Sequence, residues 1–408
     1  MADFTDAPPP SGAPILNPPA AAARRVTSQK KLQPIITITD NPSEVFVVRW
    51  SPDSKYLAAG SGDGSIKVFN TQTGHVAFDL QSGSAAALPA TSIRFRPSND
   101  STRTKNVLVS TNAVGAVQHW HVTSGKCLHT IEERDNQIYA LDYRPDGIEF
   151  ATGGKDATIR LYDESTKTQT HAMKGGRGYA PNASSGHSNR IFAIKYHPSD
   201  ENIVVSGGWD NTVQIWDKRT GHSVRSFYGP HLCGDGLDMT VDGAGNATIL
   251  TASWRPENPL ELWDFATGNI IEQVEWKESL LASQPCLLYS GQFSKAGPLS
   301  KPARYIAAGG SGANEARILD RFAGEPNNPT TALVGTVAGL ARGVFTIDWS
   351  PTADRVAIGS GDGTIRFLDL VQRSAEEVVG DSVARGMVID ASTEQEAQEV
   401  RQGGETAE

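Results

Sequence analysis

The sequence contains little cysteine: only Cys127, Cys233 and Cys286 occur among its 408 residues, and none belongs to a CxxC pair. An odd, widely spaced set of this kind argues against a disulfide framework and is typical of a reducing compartment. Long hydrophobic runs are also lacking. No stretch of 18 or more apolar residues occurs, so we expect no transmembrane helix and no membrane partner. Residues 1–25 lack the basic-then-apolar order of a signal peptide, so we expect no secretory leader.

Basic residues are outnumbered, with 37 Lys and Arg against 46 Asp and Glu and a net charge of −9. Residues 1–34 carry a net charge of +2 and residues 371–408 a net charge of −6, which leaves about −5 for the segment between them. Binding to a phosphate backbone needs a basic stripe, so we expect no nucleic-acid partner. The basic cluster between Arg24 and Lys31 indicates a solvated arm, with an acidic surface such as a microtubule as the alternative partner.

Patterns typical of long helices are few, and glycine is abundant with 40 residues, which favours one large all-β domain rich in tight turns. The clearest unit is the segment 186–221, GHSNRIFAIKYHPSDENIVVSGGWDNTVQIWDKRTG. It contains a Gly-His pair, an alternating strand that ends at a turn proline, a second strand, a tight turn and a third strand that ends in Trp-Asp. Period-two alternation bounded by turn residues predicts three consecutive β-strands.

Weaker copies of this unit recur along the chain. Seven apolar strands end at an equivalent position, 42 to 56 residues apart: Asn70, His121, Asp163, Asp217, Asp264, Asp320 and Asp369. The first strand also repeats, as FVVRWSP from 46, YALDYRP from 139, FAIKYHP from 192 and FTIDWSP from 345. The sixth copy keeps only the strand rhythm and Asp320. We count it because residues 264–369 would otherwise contain an implausibly long structureless loop.

The Gly-His and Trp-Asp pairs at this period resemble the WD40 repeat. The resemblance covers about residues 35–370 and implies an all-β, seven-bladed β-propeller, which we place at 35–371. Closing the ring requires strands from both ends of the chain in one blade. We predict that Ile35–Thr39 is the fourth strand of the last blade, and Glu376–Val379 remains the alternative.

We expect both flanks of the propeller to be disordered, because their composition is Ala/Pro-rich at 1–34 and acidic at 372–408. A partner-bound helix is the alternative for the acidic tail. The Gly-rich segment 174–190 lacks the strand–loop–helix context of a phosphate-binding loop, so we expect a flexible loop at the top face.

The resemblance implies a hydrogen-bonded tetrad in the fourth blade, formed by His187, Ser206, Asp210 and Trp216. The alternative is a Ser-His-Asp hydrolase triad, which would require an exposed and activated serine in a pocket. We favour the structural network, and therefore expect no catalytic residues and no enzyme. In the fifth blade, Ser253, Glu257 and Trp263 are the corresponding candidates.

The resemblance also implies that the turn residue before the tetrad aspartate faces the top surface of the propeller. That residue is Trp209 in the fourth blade and Lys155 in the third. An exposed tryptophan is typical of an interface hot spot, whereas packing of its ring over a neighbouring loop is the alternative. Arg190, Trp254 and Arg255 lie near it in the pattern and would extend the same partner-binding patch.

Two further motifs offer alternative functions. Trp216 to Arg219 matches the WDxR signature seen in WD40 substrate receptors of cullin–RING ubiquitin ligases, in which Arg219 would pair with an acidic adaptor. His231, Cys233, Asp235 and Asp238 form a mixed set without a second cluster, so we expect a local turn, no metal and no cofactor.

The sequence thus predicts a non-enzymatic interaction scaffold or adaptor that binds other proteins through its propeller faces and has no small-molecule substrate. We expect a cytoplasmic protein within a multiprotein assembly, with a cytoskeletal or ciliary axonemal assembly as the finer expectation. The alternative function is the ubiquitin-ligase substrate receptor.

Overall fold

The computed structural model describes residues 28–81, 88–98, 106–175, 186–277, 279, 281–295, 303–323 and 331–374, together with the backbone of 388–390. This part of the chain forms 29 β-strands and one short 3₁₀ turn, Val122–Ser124. The strands assemble into seven sheets that are antiparallel except for one parallel pair at the outer edge of blade six, so the predicted all-β, seven-bladed propeller is confirmed. No helix in the described ranges is long and apolar enough to cross a membrane.

Each blade is built from strands that follow one another along the chain. Blades one to three comprise β2 (Val45–Trp50), β3 (Tyr56–Ser61), β4 (Ile66–Asn70) and β5 (Val76–Leu80); β6 (Ala90–Phe95), β7 (Val107–Asn112), β8 (Ala116–His121) and β9 (Lys126–Glu132); and β10 (Ile138–Tyr143), β11 (Glu149–Gly154), β12 (Ile159–Asp163) and β13 (Gln169–Met173). Blades four and five comprise β14 (Ile191–Tyr196), β15 (Ile203–Gly208), β16 (Thr212–Asp217) and β17 (His222–Tyr228); and β18 (Leu237–Val241), β19 (Ala247–Ala252), β20 (Leu260–Asp264) and β21 (Ile270–Gln273).

The last two blades also recruit strands from the ends of the chain. Blade six comprises β22 (Cys286–Phe293), β23 (Tyr305–Gly312), β24 (Ala316–Asp320), β25 (Ala332–Ala338) and the outer strand β29 (Val388–Asp390). Blade seven comprises β26 (Val344–Trp349), β27 (Arg355–Ser360), β28 (Ile365–Gln372) and β1 (Lys30–Ile38).

The N-terminal strand closes the ring as predicted. It pairs antiparallel with β28, from Lys30 opposite Gln372 to Ile38 opposite Ile365, with a bulge after Pro34. It begins at Lys30, so residues 30–34 belong to the propeller and not to the predicted arm. The reason is packing, because Leu32 is only 1% exposed in the core beside β28. The alternative closing strand at 376–379 lies outside the described residues, as do the rest of the arm up to residue 27 and residues 176–185 of the Gly-rich loop.

The acidic tail contributes one element that its composition did not predict. Val388–Asp390 pairs in parallel with Thr336–Ala338 at the outer edge of blade six. Residues 375–387 and 391–408 lie outside the described part of the chain, and the expectation of disorder there stays a prediction.

The hydrophobic core lies between neighbouring blades. For example, one cluster joins Val45, Leu57 and Phe69 of blade one to Ala357 and Phe367 of blade seven. The inner and middle strands are covered on both faces by adjacent blades and are almost entirely buried, whereas outer strands such as β9 are mostly exposed. The rigid ring therefore leaves its two ends, where the turns lie, as the surfaces on which a site can be built.

Candidate functional site

The two ends of the propeller carry different turns. Because strands alternate in direction within each blade, the turns between second and third strands share one end with the segments that precede each first strand. We call this end the top face, and the opposite end the bottom face. Trp209, Lys155 and Trp254 lie in second-to-third turns and Arg190 precedes β14, so all four are on the top face. Arg219 lies in the turn between β16 and β17, on the bottom face.

Eight aromatic rings form a belt around the top mouth of the central channel. Successive ring centroids are 4.6 to 6.5 Å apart. In order, the members of this aromatic belt are Tyr139, Phe192, Trp209, His231, Trp254, Tyr289, Phe345 and Phe46. Separations in this range are those of stacked and edge-to-face aromatic pairs, so the belt is a continuous packed surface.

Trp209 is both packed and exposed. Its ring stacks on Phe192 at 5.1 Å, the guanidinium carbon of Arg190 lies 4.9 Å above the ring, and its Nε1 donates to the sulfur of Cys233 at 2.9 Å. The side chain nevertheless remains 37% exposed. Burial raises the pKa of the Cys233 thiol to about 11, so the sulfur is a neutral acceptor at physiological pH. The structure thus brings Trp209 and Arg190 together, in a position that holds the indole ring while leaving part of it accessible.

The other predicted binding residues have different surroundings. Trp254 is 39% exposed and belongs to the aromatic belt, whereas Lys155 is exposed at the equivalent turn of blade three and lies outside the belt. Arg255 is held inside blade five, since it pairs with Glu261 at 2.7 Å and donates to the Gly229 carbonyl at 3.0 Å. Its guanidinium is therefore already paired within the chain, while the side chain is 27% exposed.

Arg219 lies on the bottom face, separated by the thickness of the propeller from the other predicted binding residues on the top face. Its Nη2 lies 2.6 Å from Oδ2 of Asp217, and its Nε donates to Oδ1 of the same carboxylate at 3.0 Å. The side chain is 67% exposed, so this bidentate pair is solvated. The hydrogen bond from Arg219 lowers the pKa of Asp217.

A cavity of about 410 Å³ opens at the channel mouth, inside the aromatic belt. The inner strands carry a ring of equivalent positions, one per blade, of which Arg49 and Arg94 line the cavity. These positions hold Arg49, Arg94, Asp142, Lys195, Asp238, Gln292 and Asp348. Their charges balance around the ring, but blades one and two place two arginines side by side.

Asp235, from the segment before β18 in blade five, compensates these two arginines by reaching across the channel. Its Oδ2 accepts from Nη2 of Arg49 and from Nη2 of Arg94, the latter at 3.1 Å. We call Arg49, Asp235 and Arg94 the channel latch. Burial and the neighbouring charge of Arg94 lower the pKa of Arg49 to about 9, which still leaves it charged at neutral pH. The latch forms the floor of the cavity and joins opposite sides of the ring.

The four tetrad residues form one hydrogen-bonded chain in blade four. Oδ2 of Asp210 lies 2.8 Å from Nδ1 of His187, Nε2 of His187 lies 2.7 Å from Oγ of Ser206, and Nε1 of Trp216 donates to the same Oγ at 2.8 Å. Burial would raise the pKa of Asp210, but the hydrogen bond and charge of His187 outweigh it, and the pKa is lowered. Ser206 is fully buried, so its hydroxyl is not placed to attack a substrate.

Two other blades use residues that the sequence analysis did not single out. In blade five, Nε1 of Trp263 donates to Thr251 at 3.0 Å and not to the predicted Ser253, whose buried hydroxyl has no partner among the residues that the structure describes. The turn between β19 and β20 is longer than the equivalent turn in blade four, so the offset from Thr251 to Trp263 is twelve residues where that from Ser206 to Trp216 is ten. In blade three, the buried Glu133 accepts from both Thr152 and Tyr162. The ten-residue offset from Thr152 to Tyr162, equal to that from Ser206 to Trp216, is the signal that indicates this second network.

The residues considered as metal ligands have separate partners. His231 lies against Asn211, Cys233 against Trp209, and Asp238 accepts from the Phe293 amide and lies 3.4 Å from Lys195, while Asp235 belongs to the latch. Across the described residues, no group of three or more His, Cys, Asp or Glu side chains is placed to hold a metal ion.

Comparison with known proteins identifies the repeat. The family model described as WD domain, G-beta repeat matches residues 32–70, 125–163, 181–217 and 332–369. WD repeat-containing protein slp1 of Schizosaccharomyces pombe is 22% identical over 240 residues, which are 58% of this chain and 44% of that protein.

Two further relatives are named as an activator and as a subunit of an assembly. The APC/C activator protein CDC20 of Saccharomyces cerevisiae is 24% identical over 56% of this chain and 35% of its own length. The guanine nucleotide-binding protein subunit beta of Zea mays is 24% identical over 40% of this chain and 43% of its own length. The chain spans less than half of the length of each of these three relatives.

Proposed function

Because the chain is a WD40-repeat protein, we propose that it is a non-enzymatic interaction scaffold that holds partner proteins on its top face, around Trp209. The observation that carries this proposal is the aromatic belt. Tryptophan and tyrosine are the residues that most often dominate protein interfaces, and Trp209 and Trp254 are each more than a third exposed in one packed surface. The contacts to Phe192 and Arg190 fix the ring of Trp209 before any partner arrives, which reduces the entropic cost of binding.

The relatives support the same reading. Their names describe an activator of the APC/C and a subunit of a guanine nucleotide-binding protein, and we infer that this chain likewise works within a multiprotein assembly. A cytoplasmic location, and a cytoskeletal or ciliary axonemal assembly as the finer assignment, stay predictions. So does the expected lack of nucleic-acid and small-molecule partners.

Affinity purification with mass spectrometry tests the proposal. We expect Trp209→Ala to reduce the recovery of at least one wild-type partner tenfold or more, because hot-spot truncations cost about 2 kcal/mol or more of binding free energy. Tyr228→Ala is the matched control, since Tyr228 is an aromatic residue that is 74% exposed on the outer strand of the same blade. Equal partner recovery from the Trp209→Ala variant and the wild-type protein would contradict the proposal.

The ubiquitin-ligase receptor remains the alternative, and it depends on residues 216–219 alone. Arg219 is exposed but already paired with Asp217, so an acidic adaptor would have to compete with a carboxylate in the same turn. Arg219→Ala tests this alternative: loss of a co-purifying ligase adaptor would favour it, whereas unchanged recovery would exclude it.

A further inference from the structure

The aromatic belt is open on one side. Tyr139 stacks on Phe192 with their centroids 4.6 Å apart and their planes 13° apart, and Phe46 stacks on Phe345 at 5.5 Å and 22°. Within the described chain, neither Tyr139 nor Phe46 has a further belt neighbour. Blade two lies between these two ends. At the inner-strand position that carries a ring in blades one, three, four, six and seven, blade two has Thr91.

Small residues leave space at this opening. Pro89, Thr91 and Ala113 line the cavity there, between Phe46 and Tyr139. Ala113 occupies the turn position that Trp209 occupies in blade four, so blade two lacks both of the rings that blade four supplies. We call the space bounded by Phe46, Pro89, Thr91, Ala113 and Tyr139 the belt gap.

The surroundings of the belt gap are apolar and exposed. Val114, in the same turn as Ala113, is 54% exposed, and Phe46 is 36% exposed. An aromatic or large apolar side chain that is exposed beside an open cavity favours a partner that covers it.

The floor of the cavity selects against a charged group. Arg49 and Arg94 are compensated by Asp235, and Arg94 also pairs with Asp142 at 3.1 Å. A positively charged ligand group would be repelled by the two arginines, and a negatively charged one would be repelled by Asp235. Asp235 lines the cavity, and both arginines contact its Oδ2. A carboxylate has about four acceptor sites, so Asp235 can accept a further hydrogen bond from a group in the cavity.

From this arrangement we propose that the belt gap binds a neutral aromatic side chain with a polar hydrogen, a tryptophan or tyrosine of a partner protein. Its ring stacks between Phe46 and Tyr139 and completes the belt, and its N–H or O–H donates to Asp235. The proposal deepens the scaffold function and rests on it, because it assigns the chemistry of one contact on the top face.

Small probes test the site without knowledge of the partner. N-acetyltryptophanamide is titrated against the whole protein and followed by ligand-observed NMR, with N-acetylleucinamide and N-acetylargininamide as comparison probes. We expect an affinity of about millimolar for the tryptophan probe, as suits a ligand of this size, and weaker binding of the other two. Phe46→Ala should weaken binding about fivefold to tenfold, because it removes one stacking face.

A variant that fills the belt gap tests the site more specifically than Phe46→Ala. Ala113→Trp should place a ring in the gap and abolish probe binding, whereas Leu128→Trp adds the same ring on the outer strand of the same blade, where Leu128 is 59% exposed, and should leave binding unchanged. Melting curves establish that both variants are folded. Tyr139→Phe keeps the ring and should bind as the wild type does.

The outcomes separate this inference from the scaffold proposal. Equal probe binding by the wild type and Ala113→Trp, equal affinity for all three probes, or no binding of the tryptophan probe would each overturn the inference. If partner recovery still depends on Trp209 in those cases, the scaffold proposal stands. If the probe binds but partner recovery does not depend on Trp209, the scaffold proposal is overturned instead.

Discussion

Replacing Asp235 with asparagine tests whether the channel latch stabilises the propeller. The substitution preserves the shape of the side chain and removes the negative charge that faces Arg49 and Arg94. These two arginines are only 5% and 9% exposed, so water has little access to replace the lost carboxylate. The variant leaves two neighbouring cations on blades one and two without the anion from blade five.

The expected magnitude follows from the burial of the three side chains. Removing one partner of a buried ion pair costs about 3–5 kcal/mol. Because the side chain of Asp235 is 19% exposed and asparagine still accepts a hydrogen bond, we expect the lower end, about 3 kcal/mol. A propeller of this size unfolds with an entropy of about 0.7 kcal/mol/K, so the melting temperature should fall by about 4 °C.

The assay is equilibrium unfolding in denaturant, followed by tryptophan fluorescence, for the wild type, Asp235→Asn, Arg94→Gln and the double variant. Glu275→Gln is the control, because the Glu275 side chain is 75% exposed and its pair with Lys277 should contribute less than about 1 kcal/mol. In the double variant the repulsion between the two arginines is gone. We therefore expect a coupling free energy of at least about 1 kcal/mol between the Asp235→Asn and Arg94→Gln substitutions.

Two results would refute this reasoning. A loss of less than about 0.5 kcal/mol in Asp235→Asn would place the latch among solvated surface pairs. Additive effects of Asp235→Asn and Arg94→Gln would mean that the two side chains do not act through each other.

Three further predictions concern the tetrad and the ring closure. Ser206→Ala should lower the free energy of unfolding by about 2 kcal/mol, because it leaves two buried ring nitrogens without their partner. Ser253→Ala should be neutral or stabilising, because the buried hydroxyl of Ser253 has no hydrogen-bond partner among the described residues. Denaturant unfolding compares the two variants. Leu32→Ala should lower the free energy of unfolding by about 2–4 kcal/mol, whereas Ile35→Ala should lower it by less than about 1 kcal/mol because Ile35 is 41% exposed. Equal losses in the two variants would contradict closure of the ring by the whole strand. The pKa of Asp210 is lowered on folding, so its contribution to the free energy of unfolding is present above the unfolded pKa near 4 and is lost as the pH falls through the folded value. Asp210→Asn should therefore give a flatter acid-unfolding profile than the wild type. An unchanged slope would contradict this expectation.

Most of the fold could be predicted because it depends on local pattern. Period-two strands, turn glycines and prolines recur in the same order, and each repeat unit folds into one blade, so counting Asn70 and its equivalents gives the number of blades. The blade-four hydrogen-bond chain could also be placed, because the spacing of Ser206, Asp210 and Trp216 matches the pattern of the WD40 repeat that this segment resembles. The start of the closing strand could not. Its residues 30–34 follow an Ala/Pro-rich segment, and what orders them is the burial of Leu32 beside a strand more than 330 residues away.

Part of the site had a signal in the sequence that is easy to overlook. The four repeated first-strand motifs all open with an aromatic residue, at Phe46, Tyr139, Phe192 and Phe345. Alternation alone does not tell whether such a residue points into the core or toward the channel. The closed ring turns these positions toward one mouth, where they pack against each other.

The sequence by itself determined the repeat and the number of blades, because these arise from contacts within one repeat or between neighbouring repeats. Its resemblance to the WD40 repeat identified the blade-four tetrad, which also lies within one repeat. Only the tertiary structure decided the channel latch and the aromatic belt. Asp235 is 186 residues from Arg49 and 141 from Arg94, and no spacing in the sequence relates them. Ring closure brings them together, because seven inner strands that converge on one axis place side chains from opposite blades within hydrogen-bond distance.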